Sequence, residues 1–330
     1  MRKFSRRSLA FFAVMAALAP ASSLCVGAQD FPSRPVHLIV SYAPGGASDL
    51  MARLVGDKLS ALWGQQVVVE NKPGAGGLIG TEAAAHAPAD GYTLYNATDG
   101  PLTVAATLNR HVPYNWKRDF APVSMIAVGY QVLIIDPKLP VRTLADFVAL
   151  AKSRPGGLNY ASIGVGTAPH LAAEMFKAAA QVDLTHVPYN GSSAQAIRAM
   201  MSGDIAMFMV GTTTAGPFIR NGDVRALAVT SKENRVDGLP DVPTFTEAGY
   251  PQVDYGLWFA IAVPSATPPE IVNKLNADIN KVVADPEYRK GLKERGFEAK
   301  GSTPDELAAF MEKDYIKNRD LIQKLGLHVD

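Results

Sequence analysis

The sequence predicts an α/β protein of two domains. Short β-type runs alternate with helical patterns from Pro35 onward, the alternation resumes near Val128, and the 330-residue chain exceeds the usual size of a single core. Two long β-type runs, "VSMIAVGYQVLIID" and "VDYGLWFAIAVP", are placed to cross between the domains. Because two crossing strands form a hinge, we expect the domains to close around a ligand held in the cleft between them.

The first residues precede this pattern and have the layout of a secretory signal peptide. A basic start is followed by an apolar stretch from Leu9 to Leu18 and by the small residues Val26-Gly27-Ala28, which predict cleavage after Ala28. The apolar stretch is too short to span a bilayer, and Arg6-Arg7 leaves the general and twin-arginine export routes both open. The predicted division is a signal peptide at 1–28, domain 1 at 29–127 and 257–330, and domain 2 at 128–256.

Composition excludes several classes of function. The single cysteine, Cys25, lies in the signal peptide, so the mature chain would have no disulfide and no thiolate site. Leu24 before it disfavours lipidation. A formal net charge of +1 without a long basic run argues against nucleic acid or an anionic membrane as partner. A small ligand is the natural expectation, and nothing in the sequence indicates a metal or a cofactor.

The elements of domain 1 follow in order. We predict strands at "VHLIVSYA", "QQVVVEN" and "YTLYNAT". Between the first two, leucines recur at helical spacing, with Ser48 as the expected N-cap and Gly64 as the end of the helix. The strand and helix order is that of βαβ units in a mostly parallel sheet.

Domain 2 repeats this organisation. Its predicted strands are "QVLIID", "LNYASIG", "LTHVPY", "IAMFMVG" and "VRALAVTS", and its helices lie around 144–152, 171–180 and 194–201. After a proline-rich loop and the second crossing strand, two helices are expected to return to domain 1. "TPPE" and "TPDE" predict that they begin at the caps Thr267 and Thr303, each with a proline in the first turn and a glutamate three residues after the cap.

Two glycine-rich turns mark the expected ligand site. "YAPGGASD" and "KPGAGG" each follow a strand of domain 1 and precede a helix, and ligands of open α/β sheets bind at that edge. Glycine lets the backbone approach a ligand, and the first-turn N–H groups of a helix lack internal partners, so two converging turns would bind an anion without arginine. Nucleotide binding is disfavoured, because Ile79 stands where a dinucleotide motif has its third glycine.

Domain 2 offers matching turns on the opposite side of the cleft. "ASIGVGTAPH" and "VPYNGSSAQA" run from strand through turn to helix, and "VGTTTAG" follows the next strand. Hydroxyl groups there could contact a ligand, although for each residue taken alone turn or cap chemistry is the better explanation. The candidate hydroxyl residues are Ser162, Thr167, Tyr189, Ser192 and Thr212 to Thr214.

The sequence contains few of the motifs that are typical of enzymes. No G-x-S-x-G or H-E-x-x-H motif occurs, and no pair of histidines has metal-ligand spacing. A secreted hydrolase using Ser162 or Thr167 with His170 is the alternative that the sequence leaves open. No paired acid lies near those positions in the sequence, so we expect a protein that is not an enzyme.

Taken together, these motifs resemble one family over nearly the whole mature chain. "YAPGGASDLMARLV", "ENKPGAGGLIGTEAAAHAPADGYTL", "YASIGVGTAPHLAAEMF", "HVPYNGSSAQAI" and "LWFAIAVPSATPPEIVNKLNADI" are similar to the extracytoplasmic solute receptors of tripartite tricarboxylate transporters, the TctC or Bug-type proteins. The resemblance implies a type II-like periplasmic binding protein with two α/β domains. It also implies a small carboxylate as ligand, membrane permease subunits as partners, a periplasmic location and a monomer.

The resemblance also assigns site residues. It places the ligand carboxylate at the two glycine-rich turns and lines the opposite side with residues of domain 2. The carboxylate end would comprise Pro44, Gly45, Gly46, Asp49, Gly74, Ala75 and Gly76. The other side would comprise Ser162, Gly166, Thr167, His170, Tyr189, Asn190 and Gly191. Tyr42, Thr98 and Thr212 are further expected ligand-binding residues.

Two departures from the family pattern bear on the ligand. Asn190 stands where many members have lysine, and Ala206 stands where they have an aspartate that could meet an amine or a polar group. These residues disfavour an amino acid and favour a ligand that is less polar at its far end, either an aromatic or a short aliphatic carboxylate. A receptor that senses its ligand without a transport role is the other alternative.

Overall fold

The computed structural model describes residues 31–109, 111–189, 192–232 and 234–327. The predicted signal peptide, Asn190 and Gly191 lie outside them. The strands are β1 (Val36–Val40), β2 (Val67–Asn71), β3 (Thr93–Thr98), β4 (Phe120–Gly129), β5 (Gln131–Ile135), β6 (Asn159–Ser162), β7 (Thr185–Pro188), β8 (Met207–Gly211), β9 (Arg225–Val229), β10 (Leu257–Pro264) and β11 (Phe297–Ala299).

Helices connect most of these strands. They are α1 (Ala47–Trp63), α2 (Leu78–Ala85), α3 (Ala105–Leu108), α4 (Trp116–Asp119), α5 (Leu144–Ser153), α6 (Ala168–Ala180), α7 (Ser193–Ser202), α8 (Thr212–Arg220), α9 (Pro269–Ala284), α10 (Pro286–Lys293) and α11 (Pro304–Leu325). A single 3₁₀ turn at Ala75–Gly77 precedes α2, and a π-helical turn at Gly100–Val104 precedes α3. In the described part of the chain, no helix is both long enough and apolar enough to cross a membrane.

The strands form two sheets. The first has six strands in the order β11-β4-β10-β3-β1-β2, and the second has five in the order β7-β6-β8-β5-β9. In the first sheet β2, β1 and β3 are parallel, with Val40 beside Asn71 and Asn96, so their carboxyl ends share one edge. β6, β7 and β8 are likewise parallel in the second sheet. The predicted α/β class is confirmed. The expectation of mostly parallel sheets was wrong, because β10 and β11 pair antiparallel in the first sheet and β5 pairs antiparallel with β8 and β9 in the second, so both sheets are mixed.

Two segments join the sheets at the predicted places. β4 belongs to the first sheet and β5 to the second, with Tyr130 alone between them. The return segment after β9 leads into β10, which pairs antiparallel with β3 and β4 in the first sheet. The exact domain boundaries at 127/128 and 256/257 remain a prediction.

Each sheet is packed on both faces by apolar side chains. β1 contributes Val36, Leu38 and Val40 to one core and Ile39 to the core on the opposite face, which follows from the alternation of side chains along a strand. Val104, Leu108 and Ile322, which belong to segments that also pack on the first sheet, lie in a core of the second sheet. The two halves are therefore in direct apolar contact beyond their two connections.

Several predicted helix starts need correction. α1 begins after Gly46, and Ser48 lies inside the helix, where its carbonyl and hydroxyl accept hydrogen bonds from Asn96. The N-cap position of α9 is Pro268, and the Thr267 hydroxyl donates to the carbonyl of Pro264, so the Thr267 cap was wrong. The Thr267 hydroxyl, one position before the helix cap, instead bonds back to the last residue of β10.

The cap of the last helix is confirmed. Thr303 accepts from the Glu306 amide and Glu306 accepts from the Thr303 amide, forming the predicted capping box. The chain closes with three helices, however, because α10 follows α9 directly at Asp285, which caps it. The sequence analysis missed α10 and the short strand β11 that follows it.

Candidate functional site

The β1–α1 turn (residues 41–46) presents backbone at the edge of the first sheet. Gly45 has φ +87°, a conformation that favours glycine, and a Cβ built on it would meet nothing within 4 Å. Pro44, Gly45 and Gly46 are exposed. Gly46 caps α1 without a side chain, so no side-chain acceptor occupies the first amides of this 17-residue helix.

Asp49 holds this turn in place. Its carboxylate accepts hydrogen bonds from the Gly45 amide at 2.9 Å, from the Asn71 side-chain amide at 2.9 Å and from Arg53 at 3.0 Å. Burial opposes ionisation, but the bonds from Arg53, Gly45 and Asn71 outweigh it and lower the pKa of Asp49. We therefore interpret Asp49 as the residue that shapes the turn, and its charge is neutralised by Arg53.

The β2–α2 turn (residues 72–77) lies against the first turn. Gly74, Ala75, Gly76 and Gly77 all have positive φ angles, between +48° and +138°, and a Cβ on Gly76 would meet nothing within 4 Å. A Cβ on Gly80 would lie 2.7 Å from Ser41 Cα, so α2 packs directly on the end of β1. Close packing that only glycine permits thus brings the two predicted turns together.

Together the two turns have features that favour negative charge. The starts of α1 and α2 have no side-chain caps, and both helices point their amino ends toward this edge. Amides of a first helical turn and the helix dipole favour an anion, with the dipole contributing about 0.3–1 kcal/mol per helix at an exposed position. Binding of a ligand carboxylate at these turns stays a prediction.

The end of β3 adds polar groups beside these turns. Thr98 is buried, and its hydroxyl has no hydrogen-bond partner among the described residues. The hydroxyl of Tyr42 lies over Gly100, since a Cβ on that glycine would be 2.6 Å from it. Both positions were predicted, and the structure places them at neighbouring points of the same edge.

Asp99 is a residue that the sequence analysis missed. Its side chain is 8 % exposed, and it accepts a hydrogen bond from the Tyr255 hydroxyl at 3.3 Å. Burial, followed by the nearby charge of Asp314, raises the pKa of Asp99 to about 7. The sequence feature that could have identified Asp99 is its position directly after the parallel strand β3.

On the second sheet, the β6–α6 turn (residues 163–167) uses its polar groups internally. Ser162 is fully buried, accepts from the Gly164 amide at 2.9 Å and lies 2.7 Å from Nε2 of His186. The Thr167 hydroxyl donates to the carbonyl of Gly164. These predicted hydroxyls therefore shape the turn.

His170 has the same structural role. Its Nδ1 accepts from the Gly166 amide at 3.0 Å, which places the proton of the neutral ring on Nε2. Burial, followed by the neighbouring His186, lowers the pKa of His170 to about 4. The two rings stack with centroids 4.2 Å apart, and Tyr160 stacks on His186. His186 is a further residue that the sequence analysis missed.

These contacts bear on the hydrolase alternative. The partner of Ser162 is His186 and that of His170 is the Gly166 amide, so the proposed Ser162–His170 pair is not formed. A fully buried hydroxyl is also not placed to attack a substrate. Within the part of the chain that the structure describes, no group of three or more acidic, histidine or cysteine side chains is placed to hold a metal ion.

The remaining predicted residues lie at two places, just before α7 and directly after β8. Tyr189 donates its amide to the carbonyl of Ser162, and Ser192 caps α7 by accepting from the Gln195 amide. Thr212 is buried, and its hydroxyl donates to the carbonyl of Gly296 in the segment before β11. That bond occupies the Thr212 hydroxyl away from the glycine-rich turns.

The two sides of the site meet at Gly166. This glycine has φ +74°, and a Cβ built on it would lie 2.1 Å from Cδ2 of Leu108, which belongs to the segment after β3. Gln131, the first residue of β5, donates to the carbonyls of Ala168 and Tyr255. The start of α6 is therefore held close to the first sheet in this structure.

A cavity of about 820 Å³ lies elsewhere, beside the two connecting segments. None of the predicted site residues lines it. Lys232, Lys293 and Lys317 do line it, and each is paired with an aspartate at 2.6, 3.0 and 3.6 Å respectively. Ligand capture is better supported at the glycine-rich turns, where Gly45 and Gly76 face open space.

Two α/β halves, two connecting segments and a polar site at facing strand ends define a solute-binding protein with the periplasmic binding protein fold. Residues 51–327 match the tripartite tricarboxylate transporter family receptor, TctC. The chain belongs to this family, as the resemblance predicted. Proteins of this family are periplasmic solute-binding receptors.

Individual relatives agree. The chain is 38 % identical over 326 residues to the UPF0065 protein in the tcbD-tcbE intergenic region of Pseudomonas sp. strain P51, covering 98 % of this chain and 96 % of the relative. It is 35 % identical to protein BugT of Bordetella pertussis, covering 91 % and 92 %.

Solved structures with ligands are also similar. R. palustris Rpa4515 with adipate is 33 % identical with a TM-score of 0.81, covering 91 % of this chain and 99 % of that chain. MatC from Rhodopseudomonas palustris with bound malate is 29 % identical with a TM-score of 0.75, covering 88 % and 100 %. Both ligands are small dicarboxylates.

Proposed function

We propose that this protein is an extracytoplasmic receptor that captures a small carboxylate between its two domains and delivers it to a tripartite tricarboxylate-type permease. The observation that carries the proposal is the contact between the two glycine-rich turns, which places the uncapped start of α1 and the open positions at Gly45 and Gly76 at one edge. The adipate and malate complexes of two relatives support the ligand class.

The magnitudes are sufficient for useful binding. A hydrogen bond to a charged group contributes roughly 1.5–3 kcal/mol, whereas micromolar affinity requires about 8 kcal/mol. Four or five amides of the two turns, with some apolar contact, would reach this value. Arginine is not needed, because backbone donors and helix dipoles supply the favourable field.

The remaining parts of the proposal come from the sequence. Removal of residues 1–28 on export would release the receptor into the periplasm as a monomer without a cofactor. Residues 29–127 with 257–330 would form one domain and 128–256 the other, and closure of the second on the first would enclose the ligand. Loss of uptake of the labelled ligand in cells lacking this protein tests delivery to the permease.

The test of ligand capture is a thermal-shift screen of small carboxylates, including aromatic acids, C4 to C6 diacids and acidic amino acids. A ligand at one hundred times its dissociation constant stabilises the folded state by about 2.7 kcal/mol, which corresponds to a rise in Tm of about 5 °C. No shift with any acid would refute the proposal. Recovery of the bound acid unchanged separates a receptor from a hydrolase.

A matched pair of variants locates the site. Gly45 and Gly249 have φ angles of +87° and +88°, and a Cβ on either would meet nothing within 4 Å. Gly45→Leu and Gly249→Leu should therefore lose similar stability, about 1–2 kcal/mol from the left-handed backbone. We expect only Gly45→Leu to abolish the ligand-induced shift, because its side chain would occupy the anion site. If both variants kept the ligand-induced rise in Tm, the β1–α1 turn would not be part of the ligand site.

A further inference from the structure

Resting on the proposed function, we propose that the preferred ligand carries one carboxylate and an apolar body, which Ile79 and Val165 cover from the two sides of the cleft. Both side chains are exposed and lie on opposite domains, next to the glycine-rich turns. A charged group at the far end of the ligand is disfavoured, because the described residues there are apolar or are cations already paired with acids.

Ile79 supplies the apolar surface on the first sheet. It is 52 % exposed, the largest exposed fraction among the five large apolar side chains exposed in the described part of the chain. Its Cδ1 would lie 2.5 Å from a Cβ on Gly74, so the side chain rests on the β2–α2 turn itself. A ligand carboxylate at that turn would place its carbon chain beside Ile79.

Val165 supplies the apolar surface on the second sheet. It is 44 % exposed and directly precedes Gly166, which contacts Leu108 of the first half. The polar groups around it face inward: Ser162 is bonded to Gly164 and His186, and Thr167 to Gly164. The β6–α6 turn therefore offers a methyl-rich surface where hydroxyls had been predicted.

Among the described residues, the cations adjacent to the turns in sequence and the lysine of α6 are already paired, so they are not free for a second carboxylate. Arg53 and Lys72, the cations next to the glycine-rich turns in the sequence, are paired with Asp49 at 2.9 Å and Glu70 at 3.3 Å. Lys177 in α6 is paired with Glu174 at 2.6 Å. The end of β3 carries Asp99, a buried acid, which supplies no positive charge there.

Apolar contact then decides between ligands of equal length. Covering Ile79 and Val165 removes apolar surface from water, which favours a hydrocarbon chain over a charged group in the same place. A charged group there would lose its hydration without gaining a partner. The glycine-rich turns would bind one carboxylate, and Ile79 and Val165 would favour ligands whose remaining part is apolar.

The test compares hexanoate with adipate, which differ by the second carboxylate on a six-carbon chain. Titration calorimetry with the wild-type protein should give a dissociation constant at least tenfold lower for hexanoate. Ile79→Ser and Val165→Ser should each weaken hexanoate binding three- to tenfold and leave the affinity for acetate unchanged. Leu62→Ser is the control, because Leu62 is 45 % exposed at the opposite end of α1, about 24 Å from Gly46.

The outcomes separate the two proposals. Tighter binding of adipate or malate than of hexanoate would overturn this inference and leave the proposed carboxylate receptor standing. Unchanged hexanoate affinity in Ile79→Ser and Val165→Ser, or an equal loss in Leu62→Ser, would overturn the role of these two side chains. Absence of binding by every carboxylate would overturn both proposals.

Discussion

Two buried groups of this protein respond to acid in opposite directions. The pKa of His170 is lowered from 6.5 to about 4, so its contribution to stability is complete above pH 6.5 and is lost as the pH falls toward 4. The pKa of Asp99 is raised from 3.8 to about 7, so its contribution is complete below pH 3.8 and is lost as the pH rises through 7. Between these limits the two contributions oppose each other.

The size of each effect follows from the proton difference between the unfolded and folded states. Near pH 5.5 the His170 and Asp99 contributions each change by roughly 1 kcal/mol per pH unit, with opposite signs. The pKa of His186 is also lowered, chiefly by burial, and adds to the His170 effect. Acids with lowered pKa values, such as Asp49, act mainly below about pH 5.

Replacing either residue with asparagine removes its own effect on the pH dependence of the unfolding free energy, so the effect of the other residue can be measured. Asn at 99 can still accept from the Tyr255 hydroxyl, and Asn at 170 can still accept from the Gly166 amide. Between pH 6.5 and 5.0, Asp99→Asn should lose about 2 kcal/mol more unfolding free energy than the wild type. His170→Asn should lose roughly 1–2 kcal/mol less than the wild type over the same range.

The assay is urea unfolding followed by the fluorescence of the three tryptophans at half-unit pH steps. An Asp99→Asn variant whose stability follows the wild-type pH profile would show that Asp99 ionises normally in the folded protein. Parallel profiles for His170→Asn and the wild type would do the same for His170. Either result would refute the assignment for that residue.

Two further predictions concern glycine packing and helix capping. Gly166→Ala should lower stability by about 1–2 kcal/mol from its backbone conformation alone and by more through contact with Leu108, so that Leu108→Ala partly rescues it. Strictly additive effects in a double-mutant cycle would contradict that contact. Thr303→Ala should cost about 1 kcal/mol of unfolding free energy, whereas Thr303→Ser, which keeps the bond to the Glu306 amide, should cost far less. Equal losses in these two variants would show that the cap contributes nothing.

Much of the site could be predicted because local conformation follows from local sequence. The glycines at 45, 74 and 76 adopt positive φ angles as expected for glycine-rich turns after strands. Two consecutive βα units place those turns at one sheet edge, since parallel strands end together. The Thr303 capping box is likewise a local pattern that needs no tertiary information.

Other roles depended on residues far apart in the chain. Ser162 and His186 are 24 residues apart, and Tyr255 and Asp99 are 156 apart. The predicted hydroxyls at 162, 167 and 212 lie where the sequence placed them but are bonded within the protein. A sequence motif shows which side chain stands at a strand end. It does not show which distant residue forms a hydrogen bond with that side chain.

The sequence by itself determined the α/β class, the two crossing connections and the glycine-rich turns, because strand periodicity, helix spacing and glycine conformation are local properties. Only the tertiary structure decided that Asp49 holds a turn, that Asp99 is buried, and that Ile79 and Val165 are the exposed side chains beside the turns. Burial and hydrogen-bond pairing arise when distant segments pack, and they determine which groups remain available to a ligand.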